Sequence, residues 1–184
     1  DVGQVMFSRA IFGLIPIFFL IPRENFRNFY KTKYVGLHFY RSFVGAIAMY
    51  AIFVGLRNLE LAEVTSMAFS GPIWVVIFSI LFLGEKIRAR RWIAVGLGFI
   101  GVLIISKPGF DSLNFYYIYP VIFTLGFAGV SIFIRKLTLV GEPVYLIAFY
   151  FSICSAIFGL FTLPFGGWEM PTNYDLGLLI LIGL

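Results

Sequence analysis

The stretch "MAFSGPIWVVIFSILFLGEKIRARRW", residues 67–92, joins an apolar run long enough to cross a bilayer to a cluster of basic residues. Inside the run, Pro72 cannot donate a backbone hydrogen bond to the carbonyl of Ala68, and Gly71 beside it adds flexibility. Freed backbone groups are tolerated in a membrane only against protein or a water-filled cavity, so we expect a transmembrane helix that is kinked or opened near mid-membrane. The alternative is a kink that only shapes packing, with nearby serines bonded back to the preceding turn.

Hydrophobic residues make up 60% of the 184-residue chain and charged residues only 12%, with a mean hydropathy of +0.96. A soluble domain of this size needs a charged shell that so few ionisable side chains cannot supply. The composition therefore indicates a membrane protein that has the lipid bilayer as a partner. The net charge of +5 is confined to particular connections, so it describes membrane topology, and we expect no nucleic-acid partner.

Apolar runs of the length that a bilayer core demands, roughly 17–25 residues, recur along the whole chain. They are too long and too continuous for the alternating strands of a membrane barrel. The predicted fold class is therefore all-α, a polytopic membrane helical bundle. Six runs are complete and a seventh is incomplete. In chain order, we name them spans A to G: 2–21, 36–56, 64–83, 92–106, 115–134, 144–163 and 176–184.

Basic residues alternate between the connections that join these spans. Lys and Arg number four, one, four, one, two and none from the first connection to the last. The positive-inside rule therefore places the connections A–B, C–D and E–F in the cytoplasm. We accordingly expect a multi-pass protein of the cell inner (cytoplasmic) membrane, with the first residue of the chain on the outer side.

The pentapeptide "AIFGL" occurs twice, at residues 10–14 in span A and at residues 156–160 in span F. The copies are five spans apart, and because five is odd they should cross the membrane in opposite directions. Such an inverted repeat is typical of alternating-access transporters. Chance is the alternative explanation in a chain this rich in Phe, Ile, Leu and Gly.

Candidate substrate-binding residues are polar or aromatic side chains within the spans. Arg9 and Arg41 are the two cations there, and a charge at a helix centre costs at least ~2.5 kcal/mol, so each should face the bundle interior or snorkel to the interface. The others surround the break in span C, lie deep in span B, or lie on a small-residue stripe of span E that packing also explains. These are Tyr50, Ser66, Ser70, Pro72, Trp74, Thr124 and Ser131.

Glu63 is the acid best placed to enter the membrane, at the outer start of span C. A carboxylate in a first helical turn complements the helix dipole, and a role in proton coupling is the alternative. His38, the single histidine, lies near the cytoplasmic interface, and the single cysteine, Cys154, lies in an apolar run. The sequence contains no metal-ligand cluster, no nucleophile with a suitably spaced base and no phosphate-binding glycine loop. We therefore predict no catalytic residues, no metal, no cofactor and no enzyme activity.

Residues 40–109 resemble the drug/metabolite transporter superfamily of the EamA type. The likeness is carried in order by the basic start of span B at Arg41, the mid-helix Pro72, the pair Gly84-Glu85 at a cytoplasmic turn, and a glycine-rich helix ending in "KPG" at 107–109. The resemblance implies ten helices in two inverted halves of five, with both termini cytoplasmic and a central substrate cavity.

In that arrangement spans A to G are the second to eighth helices. Residues 1–109 then form the first half without its first helix, and residues 110–184 begin the second half, with spans six to eight and the last of these incomplete. The chain begins with Asp and ends within an apolar run, so we expect a piece of a longer protein.

The predicted function is transmembrane transport of a small organic metabolite by alternating access at a midplane site. The resemblance points to amino-acid-like or S-adenosylmethionine-like compounds, and an aromatic, hydroxyl-bearing cavity with an arginine nearby suits amphipathic compounds. The sequence allows a homodimer without specifying one. Two alternatives are a membrane-embedded lipid-modifying enzyme and a sensory or scaffold helical bundle.

Overall fold

The structure, a computed structural model, describes residues 2–22, 29–84, 88–106, 115–164, 168 and 173–183. All regular structure within these ranges is helical. A 3₁₀ turn at Phe115–Tyr117 leads directly into the sixth helix. The eight α-helices of the described ranges are α1 (Val2–Leu20), α2 (Val35–Asn58), α3 (Leu61–Ala68), α4 (Gly71–Leu83), α5 (Ala89–Ser106), α6 (Ile118–Leu139), α7 (Val144–Phe161) and α8 (Asn173–Gly183).

Each predicted span corresponds to a helix, except span C, which corresponds to the pair α3 and α4, and the predicted all-helical fold class is confirmed. Within the described ranges, five helical segments are long and apolar enough to cross a membrane, with α3 and α4 counted together as one. In α5 the described apolar stretch, Trp92–Gly101, is shorter. The predicted end of span E was wrong by about one turn, because α6 continues to Leu139. Arg135 and Lys136 therefore lie in the last part of that helix, where the negative end of the helix dipole stabilises cationic side chains.

The chain forms two compact units. The terminal unit comprises Asp1–Ala46 and Phe133–Leu184, and the central unit comprises Ile47–Ile132. Helices α2 and α6 each contribute one end to the terminal unit and the other to the central unit. These units follow spatial packing, and the division of the sequence into halves at residue 109 stays a prediction.

Helices α1 and α7 pack together in the terminal unit. A Cβ atom at Gly159 of α7 would lie 2.9 Å from the carbonyl oxygen of Gly3 and 3.0 Å from the amide nitrogen of Phe7. At the other end, the ring of Phe29 contacts Phe18, near the end of α1, and Phe149, near the start of α7. The two helices therefore run antiparallel, as predicted for the helices that carry the two copies of "AIFGL".

The predicted break in span C is present in the central unit. Helix α3 ends at Ala68 and α4 begins at Gly71, with Phe69 and Ser70 forming a turn between them. Pro72 occupies the first turn of α4, where the absent N–H leaves no intrahelical bond unmade. A Cβ atom at Gly71 would lie 3.2 Å from the ring of Phe127 on α6, so the start of α4 packs its backbone closely against that ring.

The end of α4 explains the transition to charged residues in the opening stretch. Gly84 adopts a left-handed conformation, with φ of 64°, and its N–H donates to the carbonyls of Ser79 and Ile80. Glycine adopts this conformation without steric cost, so it closes the apolar helix sharply. The next described residue, Arg88, is exposed at the start of the following basic segment.

We predict that Gly159→Ala destabilises the protein, because the new methyl group would meet the backbone of α1. The expected loss is about 1–3 kcal/mol, measured as a lower thermal unfolding temperature in detergent. Gly96→Ala on α5 is the matched control, since a Cβ there has open space and alanine favours a helix. Equal unfolding temperatures for the two variants would contradict the close contact between α1 and α7.

Candidate functional site

The hydroxyl groups beside the helix break are bonded within their own chain segment. Ser66, which is buried, donates to the carbonyl of Ala62 at 2.5 Å, and Ser70 donates to the carbonyl of Met67 at 2.7 Å. These bonds agree with the alternative interpretation of the break, in which the kink only shapes packing and the serines bond back to the preceding turn. The hydrogen of each hydroxyl is already used in this bond, but its oxygen can still accept one. A ligand could therefore donate an N–H or O–H group to it.

Two further candidate hydroxyls on α6 follow the same pattern. Thr124, which is buried, donates to the carbonyl of Val121 at 2.9 Å, and Ser131 donates to the carbonyl of Phe127 at 2.8 Å. The ring of Phe127 is also the group that faces Gly71 at the break. This part of α6 therefore lies next to the start of α4 and forms one wall beside the break.

The structure divides the nine predicted binding residues between the two units. Arg9 and Arg41 belong to the terminal unit, and Arg9 is exposed there. Tyr50 and Trp74 are half-buried and Pro72 is exposed. The set in the central unit consists of Tyr50, Ser66, Ser70, Pro72, Trp74, Thr124 and Ser131.

Glu63 has a specific partner in the central unit. The hydroxyl of Tyr117 donates to Oε1 of Glu63 at 2.6 Å, and the carboxylate lies in the first turn of α3. The hydrogen bond and the favourable helix dipole both stabilise the charged carboxylate. The position of Glu63 therefore agrees with the structural interpretation, in which its carboxylate complements the dipole of the helix.

Arg41 lies in the terminal unit with polar atoms that have no hydrogen-bond partner among the described residues. Its Nε and Nη1 atoms are buried and unpartnered, and its Cζ atom lies 4.3 Å from the centroid of the Phe151 ring. The hydroxyls of Ser42 and Ser155 are buried and likewise unpartnered within the described ranges. We call Arg41, Ser42, Phe151 and Ser155 the α2–α7 polar site.

Sequence reasoning found Arg41 and missed the rest of the α2–α7 polar site. Phe151 and Ser155 lie four residues apart on α7, a spacing that places them on one helix face. A serine within an apolar span was the available signal. That signal does not identify which helix the serine faces, and only the structure supplies the pairing of α7 with α2.

A second polar group, also missed from sequence, closes one end of the terminal unit. The fully buried His38 places Nε2 3.3 Å from Oε2 of Glu142, and Thr32 donates to Oε1 of Glu142 at 2.6 Å. The His38 ring stacks on Tyr150 at 4.7 Å, and the Tyr150 hydroxyl donates to the carbonyl of Tyr30 at 2.8 Å. We call these five residues the His38–Glu142 cluster. It ties the connection before α2 to the turn between α6 and α7.

Among the described residues, no group of three or more His, Cys, Asp and Glu side chains could hold a metal ion. The thiol of Cys154 is free and half-buried. The polar groups described within each unit offer hydrogen bonding, charge or aromatic contact. These are the means of binding an organic ligand.

The chain belongs to the EamA-like transporter family, whose family model matches residues 1–107. It is 28% identical over 180 residues to an S-adenosylmethionine uptake transporter of Rickettsia bellii, an alignment that covers 98% of this chain and 61% of the relative. The resemblance stated from residues 40–109 is therefore confirmed.

Two other curated relatives are transporters as well. A riboflavin transporter of Rhizobium johnstonii is 27% identical over 154 residues, covering 84% of this chain and 51% of the relative. A pseudopaline exporter of Pseudomonas aeruginosa is 28% identical over 185 residues, covering 99% of this chain and 63% of the relative. The chain thus spans about three fifths of the length of most of these relatives. No solved structure matches significantly.

We predict that Glu142→Ala loosens the terminal unit, because it removes the acceptor for Thr32 and leaves the buried His38 without its carboxylate. The expected loss of stability is about 1–3 kcal/mol, read from thermal unfolding in detergent. Glu60→Ala is the matched control, since Glu60 is exposed and its side chain caps no helix. An effect of Glu60→Ala as large as that of Glu142→Ala would show that the cluster adds nothing.

Proposed function

We propose that this chain forms part of an integral membrane transporter that moves a small organic metabolite across the bilayer by alternating access. The observation that carries the proposal is membership of the EamA-like transporter family over more than half of the chain, together with helices suited to crossing a membrane. Binding and helix movement are sufficient for such transport, so we propose that the protein is not an enzyme and needs no cofactor or metal.

The substrate class follows from chemistry shared by the relatives. Their names refer to S-adenosylmethionine, riboflavin and pseudopaline, which are polar organic molecules and not inorganic ions. We propose that this protein carries an amino-acid-like, S-adenosylmethionine-like or amphipathic metabolite. The direction of transport differs among these names, since one relative is an exporter and another mediates uptake.

The break between α3 and α4 is the proposed substrate contact and hinge in the central unit. Ser66 and Ser70 offer acceptor lone pairs there, and Trp74 offers an aromatic surface one turn into α4. Because only the short turn Phe69–Ser70 joins the two helices, α4 can change its angle to α3 without breaking a continuous helical hydrogen-bond ladder. Tyr50, Thr124 and Ser131 are proposed to complete this site.

Contacts in the terminal unit support the proposed topology. The His38–Glu142 cluster holds residues 30–32 at the same end of the unit as Glu142, and both segments belong to connections predicted to be cytoplasmic. Between these connections the chain passes through α2, the α3–α4 pair, α5 and α6. Two connections on one side require an even number of crossings, so we propose that α5 crosses as well. We propose the inner membrane as the location, with the beginning of α1 on the outer side.

The antiparallel packing of α1 against α7 supports the proposed inverted repeat, in which residues 1–109 and 110–184 belong to opposite halves of the complete transporter. The metabolite and the lipid bilayer are the proposed partners, and a homodimer stays a prediction. The transporter relatives do not favour the lipid-modifying enzyme or the scaffold bundle as alternatives.

We predict that Pro72→Ala reduces transport by the complete protein, because alanine supplies the N–H that can bond to the carbonyl of Ala68 and join α3 to α4. Uptake and efflux of labelled S-adenosylmethionine, riboflavin and amino acids in proteoliposomes should fall by about tenfold for the transported compound, which corresponds to roughly 1.4 kcal/mol. Expression of the variant should stay normal.

Pro16→Ala is the matched control, since Pro16 also lies inside an apolar helix but belongs to α1. We expect it to transport at close to the wild-type rate. Wild-type transport by Pro72→Ala, or equal losses for both prolines, would remove the break from the mechanism. Failure of the wild-type protein to move any metabolite in a broad library would overturn the proposed function itself.

A further inference from the structure

We propose that the α2–α7 polar site binds a carboxylate group of the transported metabolite, with Arg41 as the charged contact and Ser42 and Ser155 as hydroxyl donors. The proposal rests on the transport function proposed above and names the substrate chemistry: an organic acid or zwitterion. It assigns a role to Ser42, Phe151 and Ser155, which the sequence did not single out.

Buried atoms of the α2–α7 polar site have unmet hydrogen-bonding capacity. Nε and Nη1 of Arg41 are buried and have no acceptor within the described residues, and a guanidinium withdrawn from water is strongly disfavoured without one. Ser42 and Ser155 are each only 1% exposed and have hydroxyls that likewise lack a partner in those ranges. Three donor side chains therefore lack an acceptor in one helix pair.

Helices α2 and α7 lie beside each other at the α2–α7 polar site. Arg41 lies against Phe151, and one turn earlier on α2 His38 lies against Tyr150, so these parts of the two helices are in contact. Ser42 follows Arg41 directly on α2, and Ser155 lies one turn beyond Phe151 on α7. The unpartnered serines therefore each lie within about one helical turn, along their own helix, of the contact between Arg41 and Phe151.

The missing acceptor has a defined charge and shape. Glu142 does not fill this role, because its carboxylate contacts Thr32 and His38 while Nε and Nη1 of Arg41 have no partner among the described residues. The Phe151 ring covers one face of the guanidinium, which leaves the edge with its N–H groups available. An arginine edge binds a carboxylate through two parallel hydrogen bonds, and serine hydroxyls can donate to the same oxygens.

A carboxamide fits the same position poorly. It offers one acceptor oxygen, and its NH₂ group would face donors. A metabolite with a free carboxylate should therefore bind more tightly than its uncharged analogue, and the difference should depend on Arg41. A bare inorganic anion shares the charge, so sulfate is a necessary competitor in the test.

The test uses the complete protein, purified in detergent, and two matched ligand pairs: S-adenosylmethionine with its decarboxylated form, and phenylalanine with phenylalaninamide. Dissociation constants are measured by equilibrium binding of labelled ligand. The wild-type protein should bind the carboxylate member of at least one pair about tenfold or more tighter than its partner. In Arg41→Gln this ratio should fall to about one, while the partner without the carboxylate still binds, which proves that the variant is folded.

Three further variants sharpen the result. Ser155→Ala should lower the ratio by a few-fold, and Arg41→Lys should give an intermediate ratio because it keeps the charge but loses the fork of donors. If Arg41→Gln fails to fold, the ratios of Ser155→Ala and Arg41→Lys test the proposal instead. Arg57→Gln is the control, since Arg57 is exposed at the end of the same helix, and its ratio should equal that of the wild type.

A ratio near one in the wild-type protein, or an unchanged ratio in Arg41→Gln, would overturn the proposal. Sulfate that binds at Arg41 without competing with either carboxylate ligand would also overturn it and would identify an inorganic-anion site. If neither pair binds but another metabolite such as riboflavin is transported, the carboxylate site is wrong and the transport function stands. If nothing is bound or transported, both fail.

Discussion

The hydrocarbon core of a membrane contains no water that could bond to a peptide group, and this constraint dictates the structure. A helix satisfies it by pairing each N–H with a carbonyl four residues earlier, which is why the apolar runs of this chain are helices. Pro72 interrupts that pairing within span C. The chain accommodates the interruption by ending α3 at Ala68, turning through Phe69 and Ser70, and starting α4 at Gly71. A break of this kind within an apolar span suits a site that must bind a polar ligand and move.

Side-chain polarity inside the spans is satisfied in two different ways. Four hydroxyls each donate to a nearby carbonyl of their own segment, those of Ser66, Ser70, Thr124 and Ser131. Placing them in an apolar span therefore costs little free energy, and each oxygen can still accept a hydrogen bond. The α2–α7 polar site is different, because its buried donors have no acceptor among the described residues. Within the central unit the hydroxyls beside the break are acceptors, and within the terminal unit Arg41 is a buried donor with a positive charge.

Span positions and the break were predictable because each depends on local sequence. Apolar length fixes where a helix can cross, and a proline removes one specific hydrogen bond wherever it occurs. The end of α6 was predicted less well. Arg135 and Lys136 were assigned to a connection because they are charged, but long basic side chains are compatible with the last turns of a membrane helix.

The pairing of distant polar residues could not be read from the sequence. His38 and Glu142 are separated by 104 positions, and nothing in either neighbourhood specifies the other. The same is true of Arg41 and Phe151, since an arginine in an apolar run predicts an interior partner without naming it. Such pairs depend on which helices become neighbours, and that arrangement is decided by packing of the whole chain.

The central claim is that α2, the α3–α4 pair, α5 and α6 each cross the membrane, so that the basic connections share one face. Single cysteines at Lys33, Arg88, Val140 and Glu60, in a Cys154→Ser background, test it directly. The account predicts that a membrane-impermeant maleimide labels Glu60→Cys from outside intact cells and the other three only from the cytoplasmic side. Labelling of Lys33→Cys and Val140→Cys from opposite sides would contradict it.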